Sequence, residues 1–186
     1  PAIVNAWEPG QYGGQAIAEI LYGKVNPSAK LAMTMPRHAG QISTWYNHKR
    51  SAFFHLAVCT DNTPLYPFGH GLSYTTFRYS NLQLNKANIP NDGKTPVTAS
   101  VTIENTGNRD GVEICQLYIN DVVASVARPV KELKDFRRVA LKAGEKRTIE
   151  FTITLDKLAF YGINLKPIVE PGAFEVLVGG SSRDED

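Results

Sequence analysis

Side chains that could do acid–base chemistry are few in the first part of the chain, where Glu8, Glu19 and Asp61 are the acidic residues before residue 76. Glu19 is expected to face solvent from a helix, and Asp61 lies in a Thr-Asp-Asn-Thr-Pro sequence typical of a turn. Glu8 follows Trp7 at the carboxyl end of an expected parallel strand, the edge where open α/β sheets bind ligands. The alternative is that Glu8 fixes a tight turn. Because one carboxylate cannot act as both members of an acid–base pair, we predict no catalytic residue in this chain.

Two short segments combine aromatic rings with polar side chains, a composition that suits binding of a neutral, ring-shaped ligand. The candidate substrate-proximal residues in these segments are Trp7, Glu8, Tyr12, Tyr46, Asn47 and His48. For the second segment, residues 45–50, the sequence leaves another interpretation open, because aromatic residues of a linker also pack against their own domain.

Motifs for metals and cofactors are absent from the sequence. The chain has four histidines, His38, His48, His55 and His70. Their spacing contains no HxxxH pair that would bind a metal. The chain has no Gly-x-Ser-x-Gly motif, and Gly10, Gly13 and Gly14 do not form the GxGxxG phosphate-binding pattern. We therefore expect no metal and no cofactor.

Charge balance argues against two classes of partner. The chain has 20 Lys and Arg and 18 Asp and Glu, a formal charge of +2 that does not indicate binding to nucleic acid or to a membrane. One basic cluster consists of Lys131, Lys134, Arg137 and Arg138. Because it alternates with Glu132 and Asp135, we expect a solvated strand face rather than an anion site. No apolar run approaches the about 20 residues of a membrane-spanning helix.

The two cysteines, Cys59 and Cys115, are too few and too far apart for a disulfide framework or a CxxC site. Cys115 shares an expected strand face with Leu117 and Ile119, which favours a small buried apolar side chain. A Cys59–Cys115 bridge is the less favoured alternative, because only the even number of cysteines supports it.

The first 36 residues have the pattern of a β-α-β unit. Residues 2–7 are apolar nearly throughout, which is typical of strands in parallel sheets covered on both faces. Apolar residues recur at helical spacing over residues 15–22, Gly23 is placed to end that helix, and residues 30–36 predict a short strand. The strand partners are expected outside this chain, so we interpret the segment as the end of a larger α/β domain.

From residue 76 onward the pattern changes to two-residue alternation broken by turns. The apolar sets expected to share strand faces are Val97, Ala99, Val101 and Ile103; Cys115, Leu117 and Ile119; Ile149, Phe151 and Ile153; and Phe174, Val176 and Val178. Several short alternating strands predict an antiparallel two-sheet sandwich. The aromatic-rich residues between the two parts follow no regular period, which indicates a functional segment or a packed linker.

Several segments together carry a family resemblance. They are residues 5–14 (NAWEPGQYGG), 18–31 (AEILYGKVNPSAKL), 64–77 (PLYPFGHGLSYTTF), 105–107, 128–136 and 170–174. In this order they resemble the end of the second domain, the entry to the third domain and the fibronectin-like domain of family 3 glycoside hydrolases. The resemblance covers essentially the whole chain. Two positions depart from it: Tyr12 stands where many members carry glutamate, and Ala29 stands where glycine is frequent.

The resemblance implies a mostly β fold: the last β-α-β portion of an α/β sandwich domain (1–36), a long linker (37–75) and a fibronectin type III/immunoglobulin-like antiparallel β-sandwich (76–186). It implies a parent enzyme that releases β-linked sugar, commonly glucose or xylose, from the non-reducing end of an oligosaccharide or β-glycoside with retention. The nucleophile of that family lies in an N-terminal (β/α)8 barrel and its acid/base residue upstream of the matched segment. No residue here inherits either role.

The implied partners are therefore the barrel and the remainder of the α/β domain of the same protein, with a homodimer left open. A periplasmic or extracellular location is expected from the family alone. The alternative function is a stand-alone carbohydrate-binding or protein-interaction sandwich without enzyme activity.

Overall fold

The computed structural model describes residues 2–41, 44–50, 63–90, 92 and 94–183. Its core is an antiparallel sandwich of two three-stranded sheets. The first sheet contains, in spatial order, β1 (Phe77–Leu84), β2 (Val97–Asn105) and β5 (Lys146–Ile153). The second contains β4 (Glu132–Leu141), β3 (Gly111–Asp121) and β8 (Phe174–Gly179). The predicted mostly β, antiparallel fold is confirmed.

Alternating apolar side chains fill the space between the two sheets. The buried members of the predicted strand faces are Val97, Ala99, Val101, Ile103, Cys115, Leu117, Ile119, Phe151 and Ile153. Strands β2 and β5 pair without a register shift from Val97 opposite Ile153 to Glu104 opposite Lys146. Because a slip of one residue would turn every side chain to the other face, this pairing keeps the apolar set in the core. The predicted inward faces are confirmed.

Strand β3 is buried on both faces along its second half. Gln116, Tyr118 and Asn120 point away from the core, yet only 3%, 1% and 6% of their surfaces are exposed. The linker covers this outer face: the ring of Tyr46 stacks on Phe68 with centroids 4.4 Å apart and meets Tyr118 edge-on at 5.8 Å. The linker therefore forms a third layer over the second sheet.

The N-terminal part contains one helix, α1 (Gly13–Leu21), followed by Gly23 with a φ of +72°. The predicted helix is confirmed and begins two residues earlier than expected. Residues 2–6 form no strand in this chain, and because their expected partners lie outside it, the first flanking strand stays a prediction. The second flanking strand is wrong, since residues 30–36 contribute only a single bridge, Met35 to Tyr66. A strand needs a hydrogen-bonded neighbour along its length, and the described part of the chain supplies none to residues 2–6.

The connection from β5 to β8 contains a short helix, α2 (Leu155–Leu158), and a two-stranded hairpin of β6 (Phe160–Tyr161) and β7 (Pro167–Ile168). The sequence patterns did not predict these elements, because each is too short for an alternation or a helical spacing of apolar residues to repeat. Within the described ranges, no helix has the length and apolar content needed to cross a bilayer.

Candidate functional site

Trp7, Glu8 and Tyr12 lie in an exposed segment ahead of α1. Trp7 is 61% exposed and Tyr12 70% exposed, and Glu8 is also exposed. The backbone of Trp7 has a φ of +49°, in the left-handed region that bulky residues rarely adopt, and its N–H donates to Asn5 Oδ1 at 3.3 Å. Because backbone strain of this kind is frequent at binding sites, the segment stays a candidate binding site.

Tyr46, Asn47 and His48 lie in different surroundings, against the residues that lead into β4. The Tyr46 hydroxyl accepts a hydrogen bond from the Leu133 N–H at 3.2 Å. The His48 carbonyl accepts one from the Val130 N–H at 2.9 Å, and Asn47 is exposed. The ring of Tyr46 is already in contact with two aromatic rings of its own chain. These contacts favour the packing interpretation for Tyr46 and leave Asn47 as the solvent-facing member.

Asn26, in the Asn-Pro-Ser-Ala-Lys-Leu motif, attaches the N-terminal part to the sandwich. Its Nδ2 donates to the Asp110 carbonyl at 2.9 Å. Its Oδ1 accepts from the Ser73 hydroxyl at 2.9 Å and from the Tyr74 N–H at 2.8 Å. The Tyr74 hydroxyl donates in turn to the Ile20 carbonyl of α1 at 2.6 Å. Two of the motifs that carry the family resemblance thus bind each other and the loop between β2 and β3.

Lys30, in the same motif, forms a buried ion pair with Glu113 of β3. Lys30 Nζ lies 3.0 Å from Glu113 Oε1, and the two side chains are 15% and 5% exposed. The hydroxyl of Tyr79 in β1 donates to the same oxygen over 3.0 Å. Burial raises the pKa of Tyr79, and the neighbouring Glu113 carboxylate raises it further, so the hydroxyl keeps its proton. One carboxylate therefore joins the N-terminal part to a strand of each sheet.

Gln116 of β3 hydrogen-bonds to the glycine-rich turn of the Pro-Phe-Gly-His-Gly motif and packs closely against it. Its Nε2 donates to the Gly180 carbonyl at 2.6 Å and to the Gly69 carbonyl at 3.3 Å. Gly69 has a φ of +79°, and a Cβ there would lie 2.2 Å from Gln116 Oε1. Glycine is needed at this position both for the backbone conformation and for the close approach.

Two acidic residues of the sandwich, Asp135 and Asp121, lie beside basic side chains. Asp135 accepts a hydrogen bond from Lys157 at 2.6 Å. Burial acts to raise the pKa of Asp135, but the hydrogen bonds from Lys157 and from the Phe136 N–H outweigh it and lower the pKa. Burial raises the pKa of Asp121, against the opposite effect of Arg128, whose Nε lies 3.7 Å from its Oδ2. These contacts account for Asp135 without a catalytic role, whereas Asp121 Oδ2 is buried and, among the described residues, accepts no hydrogen bond and is paired only with the charge of Arg128.

The expected solvated face of the basic cluster is wrong at Lys131. This residue is 8% exposed, and its Nζ donates to the Ser182 carbonyl at 3.0 Å. The segment that follows β8 covers it, a long-range contact that strand periodicity does not encode. Lys134 pairs with Glu132 at 3.4 Å and conforms better to the expected alternation of charges.

Metal binding has no support in the part of the chain that the structure describes, where no three His, Cys, Asp or Glu side chains are grouped to hold an ion. Cys115 is buried and free, and burial together with the nearby Glu113 carboxylate raises the pKa of its thiol to about 12. Cys59, Asp61 and His55, named in the sequence analysis, lie outside the described residues.

Two family models match the chain. Residues 1–74 match the glycosyl hydrolase family 3 C-terminal domain, and residues 113–182 match the fibronectin type III-like domain. The antiparallel sandwich and the attached N-terminal part agree with this pair of domains. Residues 1–74 thus carry the C-terminal domain of glycosyl hydrolase family 3 and residues 113–182 a fibronectin type III-like domain, as the resemblance predicted.

Curated relatives and solved structures give the same result. The chain is 44% identical to a periplasmic β-glucosidase of Salmonella typhimurium, over 97% of this chain and 25% of the relative. It is 42% identical to a β-xylosidase of Formosa agariphila, over 100% of this chain and 26% of the relative. A β-glucosidase structure from Erythrobacter marinus superimposes with a TM-score of 0.88 at 43% identity, covering 95% of this chain and 23% of that one. The chain thus spans about a quarter of the length of these proteins.

Proposed function

We propose that this chain is the C-terminal part of a retaining, exo-acting β-glycosidase, a β-glucosidase or β-xylosidase that acts at the non-reducing end of its substrate. The observation that carries the proposal is the match to both kinds of enzyme over 97% and 100% of the chain. A Listeria innocua β-glucosidase structure in complex with glucose, which superimposes with a TM-score of 0.86 at 40% identity over 98% of this chain and 26% of that one, supports the glucoside alternative.

In this proposal the chain supports the catalytic domains and does not supply the acid–base pair. Residues 1–36 continue the α/β domain, residues 37–75 form the linker, and residues 76–186 form the sandwich. The partners are the N-terminal barrel and the remainder of the α/β domain. The exposed apolar side chains of the first segment support this assignment, since Ile3, Trp7, Leu21 and Tyr22 are 76%, 61%, 64% and 90% exposed.

The candidate substrate-proximal residues remain Trp7, Glu8 and Tyr12, with Tyr46, Asn47 and His48 as a second set. The left-handed backbone and exposure of Trp7 support the first set. Aromatic side chains present a flat apolar face on which a sugar ring can stack, while Glu8 and Asn47 offer hydrogen-bonding groups for its hydroxyls.

The decisive experiment compares residues 1–186 with the product of the longer reading frame that includes upstream sequence. Both are assayed with aryl β-glucoside and aryl β-xyloside. We expect turnover only by the longer product, with the preferred substrate identifying the sugar. Turnover by residues 1–186 alone would overturn the supporting role. A longer product without activity, together with oligosaccharide binding by residues 1–186, would favour the stand-alone binding module.

We propose a periplasmic or extracellular location, supported by the name of the Salmonella typhimurium relative. Cell fractionation with an antibody against the sandwich tests it, and recovery of the protein in the cytoplasmic fraction would contradict it. Light scattering of the longer product decides whether the enzyme is a monomer or the homodimer left open by the sequence.

A further inference from the structure

The contacts that hold the N-terminal part on the sandwich fall into two groups. The first group consists of hydrogen bonds that use a backbone partner or neutral side chains, such as those of Asn26 and the 2.9 Å bond from Arg109 to the Gly23 carbonyl. The second is the charged pair of Lys30 and Glu113, which is nearly enclosed by the protein. The two groups anchor opposite ends of residues 23–30, the segment that follows α1.

Glu113 has little freedom to move. Its Oε1 receives both Lys30 Nζ and the Tyr79 hydroxyl, each at 3.0 Å. A Cβ at Gly180 would lie 3.0 Å from the same oxygen, so the backbone after β8 packs closely against it. Because Glu113 is buried on β3, the central strand of the second sheet, its carboxylate presents Lys30 with a fixed acceptor.

Backbone hydrogen bonds next to Lys30 link its position to that of the linker turn at residues 69–71. The Leu31 N–H donates to the His70 carbonyl and the Gly69 N–H donates to the Leu31 carbonyl, each at 2.8 Å. Lys30 Nζ also reaches the Gly71 carbonyl at 3.4 Å. A shift of Lys30 would therefore move the linker turn at 69–71 and, through Asn26 and Tyr74, the end of α1.

We propose that Glu113 is a positioning residue for the enzyme reaction: through Lys30 it sets the orientation of α1 and of the candidate substrate-proximal residues Trp7 and Glu8 relative to the sandwich. A buried ion pair contributes less to stability than its geometry suggests, because both charges lose hydration. The Lys30–Glu113 pair acts instead by fixing the position of the segment that it holds. Misplacement of a substrate-binding segment lowers catalytic efficiency even when the altered residue is remote. This inference rests on the proposed function.

The test uses the longer enzyme with Glu113→Gln, which keeps the side-chain shape and removes the charge. The matched control is Glu104→Gln, also a strand glutamate in ion pairs, with Arg78 at 2.5 Å and Lys146 at 3.4 Å. Unlike Lys30, these two partners are largely exposed, at 64% and 60%. We expect Glu113→Gln to lower kcat/KM for an aryl β-glycoside about tenfold, chiefly through KM, and to speed amide hydrogen exchange in α1 about tenfold. The control should change neither quantity by more than about twofold.

If Glu113→Gln does not fold, Lys30→Met provides the second variant, because it leaves the Tyr79–Glu113 hydrogen bond in place. Unchanged exchange in α1, or faster exchange with unchanged kcat/KM, would overturn the positioning role. An inactive wild-type enzyme would instead contradict the proposed glycosidase function, and the exchange measurement would still report on the Glu113 contact.

Discussion

The hydroxyl of Thr75 donates to the side-chain oxygen of Asn105 over 2.6 Å, at a position where Asn105 has no exposure to solvent. The amide nitrogen of Asn105 donates to the Arg109 carbonyl at 2.8 Å and to the Leu141 carbonyl at 3.2 Å. One buried side chain therefore joins the end of β2 to the turn that follows, to the end of β4 and to the linker.

Replacement of Asn105 by alanine should lower the free energy of unfolding by about 3 kcal/mol, because several buried polar groups lose their partners. The measurement is urea denaturation of the 186-residue chain followed by circular dichroism. Asn108→Ala, three residues along in the exposed turn, is the control and should cost less than about 0.5 kcal/mol. Similar losses for the two variants would contradict the assigned role of Asn105.

Alanine at Gly69 should destabilise the chain more than alanine at Gly144. Both residues have a left-handed φ, +79° and +74°, so each substitution carries about 1 kcal/mol of backbone strain. Only Gly69 has a close neighbour, Gln116, whereas a Cβ at Gly144 would meet nothing within 4 Å. We expect Gly69→Ala to cost about 2 kcal/mol more than Gly144→Ala in the same denaturation experiment. Equal costs would show that Gln116 moves aside freely.

Tyr46→Ala should lower the free energy of unfolding by about 3 kcal/mol, because it removes the ring between Phe68 and Tyr118. Tyr46→Phe keeps the ring and loses the hydrogen bond from Leu133, so its cost should be about 1 kcal/mol. Thermal unfolding of both variants separates the two contributions. If Tyr46→Ala leaves stability unchanged but weakens substrate binding in the longer enzyme, the ring serves the ligand and not the packing.

The two sides of β3 show how far periodicity could predict the structure. Cys115 and Leu117 repeat at two-residue spacing, and their burial was predicted correctly. Gln116 and Tyr118 occupy the alternate positions, where the same pattern predicts solvent. Their burial depends on a linker more than 40 residues away in sequence, as shown by the 47-residue separation of Gln116 and Gly69. Local alternation carries no information about such a partner.

The acid limb of the stability profile should depend on Asp135. Its folded-state pKa lies below the unfolded value, so its stabilisation is present above the unfolded pKa, about 3.9, and is lost as pH falls through the folded value. Asp135→Asn should therefore lower the free energy of unfolding by about 2 kcal/mol at pH 7, and its difference from wild type should shrink below about pH 4. Denaturation at several pH values measures this difference. A difference that stays constant down to pH 2 would exclude a pH-dependent contribution of the carboxylate.

Cys115 should resist alkylation in the folded chain. Its side chain has no exposed surface, and its pKa of about 12 leaves almost no thiolate at pH 8. In a Cys59→Ser variant, iodoacetamide should label the remaining thiol only after denaturant is added, as read by intact mass. Rapid labelling without denaturant would mean that the sandwich opens near β3.

For the candidate site, the sequence identified the motif segments but not the contacts that their residues make or the roles that follow from those contacts. Asn26 and Lys30 belong to a segment recognisable by resemblance, yet their partners, Asp110 and Glu113, are more than 80 residues away. The structure was also needed to distinguish the exposed Trp7 from the packed Tyr46, because residue type alone does not show whether an aromatic side chain lies on a binding surface or in a core.

The linker layer over β3 limits how this sandwich can be reused in other proteins. A gene fragment cut at residue 76 would encode all six strands of the two sheets but omit Tyr46 and Phe68, leaving Tyr118 and Gln116 uncovered. Such a fragment would carry an apolar and hydrogen-bonding surface suited to self-association. Fusion proteins built from this domain, and natural recombination between relatives, would therefore have to transfer the linker together with the strands.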